Sequence, residues 1–179
     1  MEAADQGPAH EGISRLWAGW RLAYIEGVDQ SAAVPEGEGS LFERILGSGL
    51  SDEQTWILWR GEHCFAMLNA YPYTSGHVLV LPNRAEPDLS GLTEAESGEL
   101  WAGIQLTVAA VTAAYRPEGL NVGFNLGRAA GAGVPDHLHA HVLPRWSGDT
   151  NFTTAIAETR VVPEALSDTW KRVRDAWPG

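Results

Sequence analysis

The chain has 179 residues and a formal net charge of −11, with 44% hydrophobic and 20% charged residues. That is enough for one domain with a substantial core, and the acidic balance argues against general nucleic-acid or anionic-membrane binding, which needs a basic surface. A small anionic substrate in a locally positive pocket remains compatible with it. Cys64 is the one cysteine, so no intrachain disulfide can form, and no apolar run approaches the length of a membrane span. Met1 to Gly12 is polar and acidic, without the apolar stretch of a signal peptide, and a cytoplasmic location is expected.

Residues 1–13 read as a disordered tail and 14–179 as a single domain, with an N-terminal extension over 14–50. Arg15 to Ile25 is aromatic-rich and short, Gly27 to Gly39 has loop chemistry, and Leu41 to Leu46 has helical spacing that ends at Gly47. Three strands are expected over Thr55–Arg60, Cys64–Leu68 and His77–Leu81. Thr93 and Glu96 have capping-box spacing and open a helix predicted to reach Tyr115, with apolar Leu100, Ile104, Val108 and Val111 along it. Gly119–Leu126 reads as a fourth strand, Gly127–Gly133 as a glycine-rich turn, and 163–177 as a terminal helix with Pro163 in its first turn. Strands joined by short loops, with one long helix between the third and fourth, indicate an α+β domain with a largely antiparallel sheet.

The run Asp136-His137-Leu138-His139-Ala140-His141-Val142 carries three of the six histidines at alternate positions. In an extended strand they share one face, and Leu138, Ala140 and Val142 pack behind it. Glycines in the preceding turn (Gly131-Ala132-Gly133) can bring backbone N–H groups close to an anion. The residues alone leave three readings open. The imidazoles could bind a metal, one could act as a nucleophile toward phosphorus, or all could be structural. Three in register beside a glycine-rich turn weigh against the last.

Asn121 to Gly127, followed by Gly131 to Trp146, closely resembles the histidine triad (HIT) superfamily, whose signature is His-x-His-x-His followed by apolar residues. The resemblance extends through Gly148 to Phe152 and back through Leu68–Tyr73 and Ser75-Gly76-His77. Leu16-Trp17 and Trp20-Arg21 resemble a bacterial branch described as diadenosine tetraphosphate phosphorylases or hydrolases, related to the fragile histidine triad protein. The resemblance implies a five-stranded antiparallel sheet with a long helix and a C-terminal helix, and a homodimer whose sheet continues across the two-fold axis. Small residues Ala102, Ala109, Ala110 and Ala113 on the long helix would let the partner approach closely. It implies cleavage of dinucleoside polyphosphates through a covalent nucleotidyl-histidine at His139, with water or phosphate as acceptor. His141 would bond the phosphoryl or leaving group, and the His137 carbonyl would fix the tautomer of His139. Asn69 matches a ribose-contacting Asn, and His77 the histidine supporting the triad from behind. Asn125, Gly131, Ala132 and Gly133 complete the expected nucleotide contacts.

A phosphoramidate hydrolase or nucleotidyltransferase of the same superfamily is the main alternative activity, and a nucleotide sensor without turnover is the alternative of another class. Many relatives carry a structural zinc; here Ser40, Glu43 and Ala85 occupy three of its four ligand positions, so no metal site is expected. Mg²⁺ accompanying substrate phosphates is the one cation allowed for. Where many relatives place Gln or Ser, four residues before the first triad histidine, this chain has Gly133, which leaves hydrolysis against phosphorolysis open. Trp146 directly follows the histidine strand, and Arg145 either lies near the phosphates or pairs with Asp149.

Overall fold

The computed structural model describes residues 37–149 and 164–178. The expected tail, the aromatic segment, Pro163 and the motif residues Thr150 to Phe152 lie outside them. In chain order come α1 (Leu41–Leu46), α2 (Asp52–Thr55), β1 (Ile57–Arg60), β2 (Cys64–Leu68) and β3 (Val78–Pro82). The long α3 (Glu94–Tyr115), β4 (Gly119–Phe124), β5 (Ala140–Arg145) and α4 (Leu166–Asp175) follow. The strands form one antiparallel sheet in the order β1-β2-β3-β5-β4, so β5 is inserted between β3 and β4.

Local chemistry sets most boundaries. Ser40, Ser51 and Thr93 each open a helix through a complete capping box, closed by Glu43, Gln54 and Glu96 respectively. Such caps stabilise a helix start by about 0.5–2 kcal/mol. The Ser51 cap explains one difference from the sequence reading: Thr55 belongs to a helical turn rather than to the first strand. Trp56 then leaves that turn in the left-handed region, at φ 59°. The terminal helix runs Leu166–Asp175, and Ala165 at its N-cap makes no side-chain cap hydrogen bond.

Each sheet face carries its own apolar cluster. Toward α3 and α4 lie Leu58, Ala66, Leu68, Val78, Val80, Leu138, Ala140 and Val142, meeting Leu100, Ile104, Ala110, Val111 and Val173. Full burial of each Leu or Val side chain contributes about 1.5–3 kcal/mol. Helix α3 comes close to the sheet at Gly103, where an added Cβ would lie 3.0 Å from Val80 and 3.1 Å from Trp59. Ala110 is fully buried in this cluster, so it faces the sheet and not a partner, unlike Ala102, Ala109 and Ala113, which are exposed. Glu99 of α3 accepts backbone N–H bonds from Glu62, His63 and Cys64, pinning the β1–β2 hairpin to the helix.

The second face carries Ile57, Phe65, Met67, Leu79 and Leu81, covered by Phe42 and Ile45 of α1. Cross-strand register puts His141 beside Leu79 and Gly123, hence on this α1 side. Among the described residues no helix is long and apolar enough to cross a membrane.

Candidate active site

The histidine run is only partly strand. β5 begins at Ala140, so His141 lies in the ladder while His137 and His139 approach it from the preceding bend. Alternation survives all the same, because Leu138, Ala140 and Val142 pack against the long helix and the imidazoles point the other way. They are more buried than a simple ligand-facing row: His137 is 1% exposed, His139 7% and His141 7%. Burial at that level requires partners, and each ring has them.

His139 Nδ1 lies 2.8 Å from the His137 carbonyl and donates its proton there. The proton is thereby held on Nδ1, and Nε2 keeps its lone pair. His141 is governed from the segment before β3. The backbone N–H of Tyr73 donates to His77 Nδ1 at 3.1 Å, so the His77 proton sits on Nε2, which donates to His141 Nδ1 at 2.9 Å. His141 therefore carries its own proton on Nε2, which lies 3.4 Å from Asn125 Nδ2. That amide presents its oxygen after a half-turn. The Tyr73 amide thus sets the tautomers of His77 and His141 in series and the His137 carbonyl sets that of His139, leaving a lone pair on His139 and a donor on His141. The two ring centroids are 5.0 Å apart. A neutral imidazole with a free nitrogen can attack an electrophile, and an adjacent N–H can stabilise the negative charge that develops.

His137 sits deepest. Its Nε2–H donates to the Pro82 carbonyl at 2.9 Å, and its Nδ1 meets the Ser40 hydroxyl at 2.6 Å. Phe42 stands edge-on to it at 5.3 Å and lies 5.5 Å from His139. Tyr73 covers the other pair, 4.7 Å from the His77 ring and stacked at 5.8 Å on His141. Phe42 carried no signal of a site role in the sequence, and Tyr73 none beyond its place in the Leu68–Tyr73 segment of the resemblance. Ser40 did, through its capping spacing to Glu43.

The other expected residues fall into groups. Asn69 Oδ1 accepts the Tyr71 N–H at 2.9 Å and its Nδ2 lies 3.3 Å from His77 Nδ1, so it shapes the turn that delivers His77. His77 itself is 1% exposed, behind His141. The bend before it needs Gly76, at φ +80° with Tyr115 and Pro144 where a Cβ would stand. Gly131 lies near Asn125, but its N–H donates to the Arg128 carbonyl and that of Ala132 to Gly127. Among the described residues only Gly133 of the three makes no backbone hydrogen bond. Arg145 forms a salt bridge to Asp149 at 2.6 Å and bonds Asn121, and Trp146 packs edge-on against Tyr115. Both therefore have structural partners on the strand end and the long helix.

The metal question can be tested on the donor set. Ser40, Glu43, Ala85 and His137 do converge, but as a closed hydrogen-bonded group. The Glu43 carboxylate accepts the Ala85 N–H at 2.9 Å and the Ser40 N–H at 2.8 Å, and these bonds hold it below the usual carboxylate range. One imidazole, one hydroxyl, an engaged carboxylate and a methyl group do not fit tetrahedral zinc. Among the described residues no group of three or more His, Cys, Asp or Glu is arranged around a metal position. Dialysis against a chelator should leave the thermal midpoint unchanged, and elemental analysis should find far less than one zinc per chain.

The HIT domain family profile matches residues 52–148, more than half of the chain and all of the sheet. The chain belongs to the HIT family. Among HIT relatives it is 39% identical over 170 residues to an AP-4-A phosphorylase of Mycobacterium tuberculosis, covering 92% of this chain and 85% of that protein. A bis(5'-adenosyl)-triphosphatase of Dictyostelium discoideum is 35% identical over 92 residues, 51% of this chain and 61% of that one. A solved HIT structure, a zinc-bound histidine triad family protein of Mycobacterium smegmatis, superposes with a TM-score of 0.61 at 25% identity. It covers 76% of this chain and 91% of its own. The zinc belongs to that protein.

Burial holds all three HIT imidazoles toward the neutral form, pushing His141 down to about 4 and His137 and His139 below the ordinary 6.5. In the unfolded chain they titrate near 6.5, so between about 4 and 6.5 the unfolded state binds more protons and stability rises with pH. The depressed carboxylates, Glu96 at about 2 among them, act lower: their contribution is complete above 4.5 and is lost as pH falls toward 2. Urea midpoints should therefore climb from pH 4.5 to 6.5, and a flat profile there would contradict neutral burial of the imidazoles.

Proposed function

We propose that this chain is a HIT-family enzyme that cleaves dinucleoside polyphosphates of the diadenosine tetraphosphate kind through His139. The observation that carries the reading is the pair of opposite tautomers: a lone pair on His139 Nε2, set by the His137 carbonyl, beside a proton on His141 Nε2, set by His77. The 39% identity to an AP-4-A phosphorylase supplies the substrate class.

In the first step His139 Nε2 forms a bond to the α-phosphorus, and the bond from that phosphorus to the bridging oxygen breaks. The remaining nucleotide leaves as its phosphate anion, which needs no proton at neutral pH. Nδ1–H stays on the His137 carbonyl while the ring takes positive charge, and His141 Nε2–H bonds the phosphoryl or leaving oxygen. In the second step water, giving up a proton to solvent, or inorganic phosphate attacks the same phosphorus, the bond from phosphorus to Nε2 breaks, and His139 leaves as a neutral imidazole. Splitting one displacement into two is the gain of covalent catalysis. Asn69 contacts the ribose, and Asn125 with the Gly131–Gly133 loop borders the phosphates. No resident cofactor is required by this route; Mg²⁺ would arrive with the polyphosphate.

The test is product analysis by ion exchange after incubation with diadenosine tetraphosphate, with and without inorganic phosphate. ATP plus AMP indicates hydrolysis and ATP plus ADP phosphorolysis; no cleavage under either condition would remove the proposal.

The same reading includes a homodimer. Trp101 is 60% exposed on α3, next to exposed Ala102 and on the helix that also exposes Ala109 and Ala113. A large aromatic beside small residues suits close contact with a second helix. Light scattering should give about twice the 19.3 kDa chain mass. Cytoplasmic residence is also part of the reading and rests on the lone, buried Cys64.

A further inference from the structure

Ser40 and His137 are 97 positions apart, yet the Ser40 hydroxyl and His137 Nδ1 make a 2.6 Å contact. We propose that Ser40 is a positioning residue for the reaction inferred above, fixing the His137 ring and, through the His137 carbonyl, the orientation of His139. This rests on the reading of His139 as the nucleophile.

The proton count leaves one arrangement. His137 Nε2–H is engaged by the Pro82 carbonyl at 2.9 Å, so Nδ1 is an acceptor and needs a donor. The ring is 1% exposed, which removes solvent as the source. As a helix N-cap, Ser40 uses only a lone pair of its oxygen, accepting the Glu43 N–H at 3.2 Å. The hydroxyl hydrogen, which at most caps points to water, is left for His137. Glu43 then holds the cap itself: one carboxylate oxygen takes the Ser40 N–H at 2.8 Å, the other the Ala85 N–H at 2.9 Å. With both nitrogens bonded, the His137 ring cannot turn, and the carbonyl of the same residue stays directed at His139 Nδ1, 2.8 Å away. Phe42, two residues after Ser40, touches both rings, so one helical turn braces the nucleophile from behind.

Removing the hydroxyl would leave a buried acceptor without a donor and free the ring to turn. A small misplacement of a reacting group can cost about 100-fold in rate. Ser40→Ala should therefore lower kcat about 10- to 100-fold with KM within about twofold of wild type. Ser40→Thr, which keeps the hydroxyl, should restore kcat to within about threefold. Imidazole ¹⁵N spectra of the resting wild-type protein should show His137 protonated on Nε2 and His139 on Nδ1. Should Ser40→Ala fail to fold, those wild-type spectra and the Ser40→Thr kinetics carry the test. A folded Ser40→Ala with wild-type kcat, or a wild-type His137 protonated on Nδ1, would overturn the proposal. Inactivity of the wild-type protein toward every dinucleoside polyphosphate would instead remove the proposed function, leaving the spectra to decide the Ser40 arrangement on their own.

Discussion

His139→Ala should lower kcat by about 10⁴-fold or more while nucleotide affinity stays within a few-fold of wild type, because it removes the attacking nitrogen and leaves the pocket walls. Those walls do not depend on the His139 ring. Phe42 is held in the α1 cluster, and His141 is bonded to His77 and faces Asn125. In the wild-type enzyme the rate should be level across neutral pH, since burial keeps His139 uncharged there, and should fall in acid as the nitrogen takes a proton. Single-turnover kinetics with a fluorescent nucleotide, together with a binding titration, separate the two quantities. Activity within tenfold of wild type would rule out attack by His139, whereas capture of a nucleotidylated peptide spanning Asp136 to Arg145 would identify the bond directly.

The second large effect is expected at a residue that does not touch the substrate. His77→Ala removes the donor to His141 Nδ1, and the His141 proton is no longer confined to Nε2. Loss of one oriented donor at a developing negative charge costs about 10²–10³-fold in kcat. His77→Gln, which can still donate an N–H toward His141, should recover part of that loss, a pattern that a purely structural defect would not give. Equal kcat in the Ala and Gln variants, or a wild-type value in either, would show that the Tyr73–His77–His141 series does not govern the reaction.

Much of this was readable before any coordinates because the signals were local. Thr93 and Glu96 mark the start of the long helix, and the apolar run from Cys64 to Leu68 marks a strand, which the fold buries on both faces. The antiparallel class followed from connection lengths. The β-forming residues from Thr55 onward suggest a first strand two residues longer than the one formed, because the Ser51–Gln54 capping box draws Thr55 into a helical turn. Ala110 was assigned to a dimer surface from its size alone, and size does not tell which side of a helix faces the sheet. The site divides in the same way. The alternation of His137, His139 and His141 is a pattern within a few residues. The His139 proton is held within that run by the His137 carbonyl, but those on His137 and His141 depend on Pro82, Ser40 and Tyr73, which come from three other segments and are brought to the site only by the fold. Long-range hydrogen bonds to backbone groups leave no mark in composition or spacing.

The strand order has a consequence for how the chain is made. β3 and β4 meet only through β5, which is synthesised after both. Until residue 145 has emerged, the growing chain has a three-stranded sheet with an open β3 edge and an unpaired β4 segment, of the kind that invites pairing with other chains. The strand that closes the gap carries His141 and directly follows His137 and His139. Completion of the sheet and assembly of the catalytic centre are therefore one event, and no shorter nascent form can be active or free of sticky edges.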